Sequence, residues 1–183
     1  NYIITSSLAA PILLQLDVPL IVSHMFVFYF GIMADLTPPV ALAAFAAASI
    51  AKASPMRIGW KATHIAIAGF VIPYMAVYDP ALMLQPETAG AGLSAVAVVY
   101  VIVKAVIAIG LWGGAAVGYF LRGPLTWIER IIAFASAALL VAAASWTDQV
   151  GFVASGLFIA WHLWRSRGMP SFAETKAAHD PPR

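Results

Sequence analysis

The residues best suited to chemistry lie in one short stretch. Gly31, Asp35, Thr37, Pro38 and Pro39 sit inside an otherwise apolar run from 19 to 51. A carboxylate at membrane depth is costly and usually faces a cavity, an ion or a partner. Asp35 is therefore the most informative ionisable residue, either as a site residue or as a protonated or paired structural Asp at a helix break. A helix over the whole run would be roughly 50 Å long, against about 30 Å of hydrocarbon. It must tilt strongly or break. Pro38 and Pro39 remove two backbone donors and push Thr37 toward an extended conformation, while Gly31 loosens the preceding turn, so the break belongs at 31–39. Thr37 is expected to cap the second half-helix, with Pro38 at its first position. Discontinuous membrane helices offer carbonyl oxygens to cations and helix N-termini to anions, which makes Gly31, Asp35, Thr37 and Pro38 the candidate ion- or substrate-binding residues.

Other polar groups have plainer readings. Thr5, Ser6 and Ser7 are expected to bond carbonyls one turn back. His24 reads as interfacial or hydrogen-bonded, since no second His or carboxylate stands at metal-ligand spacing. Lys104 is expected at an interfacial helix start, with its ammonium snorkelling outward. Glu129 and Arg130 read as an exposed loop pair of little energetic weight. Gly110, Gly114 and Gly118 recur every four residues and predict one flat helix face for close packing. With no cysteine, no phosphate-binding glycine loop and no Ser placed with a plausible His and acid, the sequence predicts no enzyme and no cofactor.

The elements that must hold these residues are membrane helices. The chain is 62% hydrophobic and 10% charged, with a mean hydropathy of +0.90, which places it among multi-pass membrane proteins. A net charge of +2, with the basic residues at the ends of apolar runs, gives no nucleic-acid footprint. The expected fold is an all-α integral membrane protein. A re-entrant hairpin arm over 1–16 leads into a broken helix over 19–51, with halves at 20–30 and 40–51, and spans follow near 62–78, 93–121, 131–147 and 150–164. Lys52, Arg57 and Lys61 form a basic loop, and Asp79 with Glu87, Arg122 with Arg130, Asp148, and Arg165 with Arg167 then alternate in sign. The basic loops, and with them the C-terminus, are expected on the cytoplasmic side. Residues 168–183 read as a disordered tail. The first residues already read as mid-helix, so the chain is expected to be the C-terminal piece of a longer protein.

Residues 24–31 and 35–43, together with 62–74 and 78–82, resemble one family. It is the large (DctM-like) membrane subunit of tripartite ATP-independent periplasmic (TRAP) transporters, in the fused permease of the TAXI subgroup. The resemblance is dense over 1–85, the C-terminal part of the transport domain. Residues 86–167, including 118–122 and 127–130, are similar to that subgroup's C-terminal membrane extension. It implies an inverted-repeat, elevator-type, sodium-coupled importer of organic acids such as C4-dicarboxylates or glutamate, in the bacterial inner membrane. A periplasmic binding protein of TAXI type would feed it, and the missing N-terminal part of the same permease would complete it. It also implies that the stretch from Gly31 to Pro38 contributes to a sodium site, mainly through backbone carbonyls, with Gly31, Asp35 and Thr37 as ligands. The competing class is a structural or anchoring subunit of another complex, or an integral membrane enzyme.

Overall fold

The computed structural model describes residues 2–86, 92–142 and 145–168. Helix α1 (Tyr2–Gln15) and helix α2 (Leu20–Met33) form an antiparallel hairpin. The chain reverses at 16–19, where Asp17 takes a left-handed φ of 60° and Pro19 precedes the first turn of α2. The closed end of this hairpin packs Val18 and Val22 against Leu13, Ala76 and Val77. At about 1.5 Å per residue α1 is roughly 21 Å long, short of a membrane core. Ser6 and Ser7 bond the carbonyl of Ile3 at 3.1 and 2.6 Å, as short hydroxyls do inside apolar helices. His24 Nδ1 lies 2.7 Å from the Tyr2 hydroxyl.

A second hairpin joins α3 (Leu42–Ala51) to α4 (Pro55–Ala66). Helix α4 passes through a 3₁₀ turn at Ile67–Phe70 into α5 (Val71–Tyr78). The uninterrupted stretch Pro55–Tyr78 and the helix α6 (Ala95–Val117) are the two among the described residues that are long and apolar enough to cross a membrane. Helix α6 ends at Gly118, which takes φ +79°, and a two-stranded hairpin pairs Tyr119–Phe120 with Gly123–Pro124. Helices α7 (Trp127–Val141) and α8 (Ser145–Arg165) complete a bundle with α6. Leu111, Ala115, Leu125, Ala133, Ala137 and Phe158 form its centre. Val71, Met75, Ala105, Ala108 and Leu140 join it to α5. The outer surface is strongly apolar, with Ile50 87% and Val96 79% exposed. A water-facing exterior would not carry so much large apolar surface.

The structure corrects several sequence expectations. Pro55 begins a helix, so Arg57 and Lys61 lie on α4 and not in a loop, and the expected 62–78 span starts seven residues earlier. A β-hairpin interrupts the all-α expectation because Gly118 stops α6 in a left-handed cap that only glycine adopts freely. Gly110, Gly114 and Gly118 do not make one packing face. Nothing lies near Gly110, a Cβ on Gly114 would come within 2.6 Å of the Phe120 ring, and Gly118 is the cap. Helix α8 begins at Ser145, which puts Asp148 in its first turn and not in a loop. Lys104 is not interfacial. It sits mid-helix in α6 and pairs with Asp148 at 2.7 Å, the two side chains only 7% and 13% exposed. Glu129 is not an exposed loop residue, being fully buried in the first turn of α7. Of the expected tail at 168–183, Gly168 instead ends a short 3₁₀ turn, and the rest, with Glu87, lies outside the described residues.

Candidate functional site: the helix break and its seat on α4

Helix α2 loosens before it stops. The amide of Ala34 still bonds Phe30 O at 3.2 Å, but Asp35 and Leu36 bond Ile32 O and Met33 O three residues back, at 3.0 and 3.1 Å. Pro38 and Pro39 have no amide proton to give, and the helix ends. The chain then turns sharply: the Ala41 amide reaches both Ala34 O (3.2 Å) and Thr37 O (3.0 Å), and the Ala43 amide reaches Asp35 O at 3.1 Å. Ala41 begins α3 with φ 38° and ψ 40°, a left-handed conformation that costs a residue with a Cβ about 1–2 kcal/mol. It persists because Ala41 is fully buried and its amide is held by two carbonyls.

Helix α4 is the seat of this turn. A Cβ on Gly59 would lie 2.9 Å from Pro38 Cγ and 3.5 Å from both the Ala41 Cβ and the Phe45 ring. The proline ring therefore rests directly on the α4 backbone. One helical turn later Thr63 Oγ1 stands 3.2 Å from Leu36 O and 3.0 Å from Gly59 O, within donating distance of either. Further along the same continuous helix, the Met33 methyl is 3.0 Å from where a Gly69 Cβ would be. Phe26, Phe30, Phe70 and Tyr74 form an aromatic cluster with ring centroids 4.8–6.1 Å apart, which fastens the end of α2 to α5. The break is thus a tight, well-held turn.

The four candidate residues fall into this turn unequally. Asp35, Thr37 and Pro38 share it, with the Asp35 side chain exposed. Gly31 does not, since it remains in the last turn of α2. Thr37 does not cap α3. Its hydroxyl donates to Met33 O at 2.7 Å, and Ala41 stands at the cap position with no side-chain cap. The expected half-helices shift accordingly, to Leu20–Met33 and Leu42–Ala51. Each carbonyl from Met33 to Thr37 accepts at least one hydrogen bond from the chain, but a carbonyl oxygen has two lone pairs and keeps capacity for a second partner. Among the described residues no cluster of three His, Cys, Asp or Glu could hold a metal. A hard cation here would rely on the Asp35 carboxylate and backbone oxygens.

Gly59, Thr63, Gly69 and Ala41 were not singled out from the sequence. The available signal was the four-residue spacing of Gly59 and Thr63, which puts them on one face of a helix.

Two further polar clusters lie in the α6–α8 bundle. At one end, Lys104, Asp148, Tyr100, Asp79 and Gln149 border a cavity of about 390 Å³, and Asp148 accepts from Tyr100 at 3.0 Å and Lys104 at 2.8 Å. Asp79 and Asp148, expected on one side of the membrane, therefore share one end of the bundle. At the other end, Thr126 and Glu129 form a capping box. Glu129 also pairs with Arg165 at 2.9 Å, and His162 bridges it to Phe120 O at 3.3 and 2.9 Å. The Thr-x-x-Glu spacing was a legible signal for that cap. Beside it, Arg130 donates to Ala115 O and Ala116 O at 2.7 and 2.6 Å and so closes the C-terminus of α6.

Residues 1–88 match the family model of the tripartite ATP-independent periplasmic transporter, DctM component. The match takes in the α1–α2 hairpin, the break and α3 to α5, and ends before α6. The match makes this part of the chain, a little under half of its length, similar to the large membrane component of TRAP transporters. No curated protein and no solved structure matches the chain.

Proposed function

We propose that the chain is the C-terminal part of the large membrane component of a TRAP transporter, of the TAXI type, which imports organic acids by sodium coupling. The family match over residues 1–88 carries this reading, and the helix break falls within it. In this reading α1–α2 is one arm of the transport machinery, and the turn at 34–41 lends oxygens to a coupling sodium ion. Asp35 would supply charge, and the carbonyls around Thr37 and Pro38 would supply neutral ligands. The ion's own charge would make substrate binding depend on the sodium concentration. The partners are a TAXI-type periplasmic binding protein and the upstream part of the same permease, which would carry the inverted repeat. Residues 95–168 form a membrane extension fastened to α4 and α5.

Uptake by the full-length permease, reconstituted with its binding protein under a sodium gradient, tests this reading. Pro38→Ala restores an amide donor and lets the helix close, and sodium-dependent uptake is expected to vanish at matched expression. Asp35→Asn removes only charge, and the sodium concentration for half-maximal uptake is expected to rise while transport survives. Normal sodium dependence in Pro38→Ala would remove the helix break from the mechanism.

A further inference from the structure

An apolar groove of about 380 Å³ runs between α4, α6 and α7, walled by Ile67, Trp112, Ile131, Phe134 and Ala135. It follows α7 from Trp127 to Ala135, roughly 12 Å at the usual helical rise. The surface it presents is apolar throughout, and His64, Arg130 and Trp127 border one end. That end is basic. His64 Nε2 bonds Ala116 O in the last turn of α6, which places Lys61, one turn before His64 on α4, beyond the groove's mouth. Arg122 lies in the hairpin leaving the same end of α6, and both Lys61 and Arg122 are exposed. Arg130 spends Nε and Nη2 on the α6 carbonyls, and its guanidinium packs beside Gly118 and lies 5.8 Å from the Trp127 ring. Trp127 itself is 72% exposed, as interfacial tryptophans are.

We propose that this groove binds an anionic phospholipid, with an acyl chain against Trp112, Ile131 and Phe134 and the phosphate against Arg130, Lys61 and Arg122. The charge pattern selects this occupant. A protein helix seated in the groove would not need cations gathered at one end, whereas an amphiphile with a negative head and a hydrocarbon tail matches both parts at once. The groove joins the family-matched half, through His64 and Ile67, to the α6–α7 part outside the match. A bound lipid therefore fastens the two together. The inference needs the membrane setting of the proposed function but not transport.

Native mass spectrometry of the full chain in detergent, with phosphatidylglycerol or phosphatidylcholine added, tests it. One phosphatidylglycerol per chain is expected to survive activation that strips phosphatidylcholine. Ala135→Trp is expected to block the groove and abolish that retention, because Ala135 is exposed and the change leaves the bundle core untouched. Lys61→Gln is expected to weaken retention by about two- to tenfold, the worth of one basic side chain beside an anionic headgroup. Equal retention of both lipids, or undiminished retention in Ala135→Trp with an unchanged melting temperature, would overturn the proposal. So would a lipid-free dimer that Ala135→Trp dissociates, since a second copy would then fill the groove.

Discussion

Gly59→Ala is the sharpest test of how the helix break is held. The added methyl would stand 2.9 Å from Pro38 Cγ, against an ordinary carbon–carbon contact of about 3.5–4.0 Å. The proline ring cannot swing away, and Ala41 and Phe45 close the neighbouring space at 3.5 Å. The α4 backbone must therefore retreat from the turn, and the approach of Thr63 Oγ1 to Leu36 O lengthens with it. Overpacking of this kind costs about 1–3 kcal/mol, while alanine in place of a helical glycine returns about 0.8–1.0 kcal/mol. The net effect is a loss of about 0–2 kcal/mol. Gly110→Ala in α6 is the matched control, because nothing lies within 4 Å of its Cβ position and the helical gain stands alone. The gap between the two variants is about 1–3 kcal/mol, or roughly 2–12 °C in melting temperature for a chain of this size. Thermal unfolding in detergent reads that gap, and amide exchange at Ala41 and Ala43 reads its location. If Gly59→Ala stabilises as much as Gly110→Ala and exchange at the turn is unchanged, Pro38 does not rest on α4 and the account of the break fails.

Other outcomes follow from the bundle. Lys104→Met leaves the largely buried Asp148 without its cation, with only the Tyr100 hydroxyl still donating to it, and is expected to lower stability by up to about 3–5 kcal/mol, whereas Lys104→Met combined with Asp148→Leu recovers most of it; a double-mutant cycle by thermal unfolding checks this, and an equally damaging double variant would refute it. Thr126→Val removes the hydroxyl of the capping box and is expected to cost about 1 kcal/mol, measured as faster amide exchange in the first turn of α7. A reporter fused after Arg167 is expected to be active in the cytoplasm, on the side of the basic residues; periplasmic activity would reverse the orientation.

Composition and local chemistry made the large features legible. A chain this apolar is expected in a membrane, and two consecutive prolines in a run too long for one span must interrupt a helix, because lost amide donors are a property of the residue wherever it folds. The location of the break needed nothing beyond 31–39, though its extent did: the helix persists through Met33 because Gly31 still has its helical bonds, and α3 waits until Leu42 because Ala41 turns the chain. Thr37 looked like a cap by position alone, yet a hydroxyl can also donate to the preceding turn, and the sharp reversal after Pro39 left it only that choice. What no local rule could supply were contacts across distance. Lys104 and Asp148 each resembled an interfacial charge, since their pairing depends on α8 lying beside α6. Glu129 resembled a surface residue until Arg165 and His162, more than thirty residues on, closed over it. Gly59 was one small residue among many until tertiary packing set Pro38 on it. Burial and partnership of charges are properties of the assembled bundle, and only the bundle decides them.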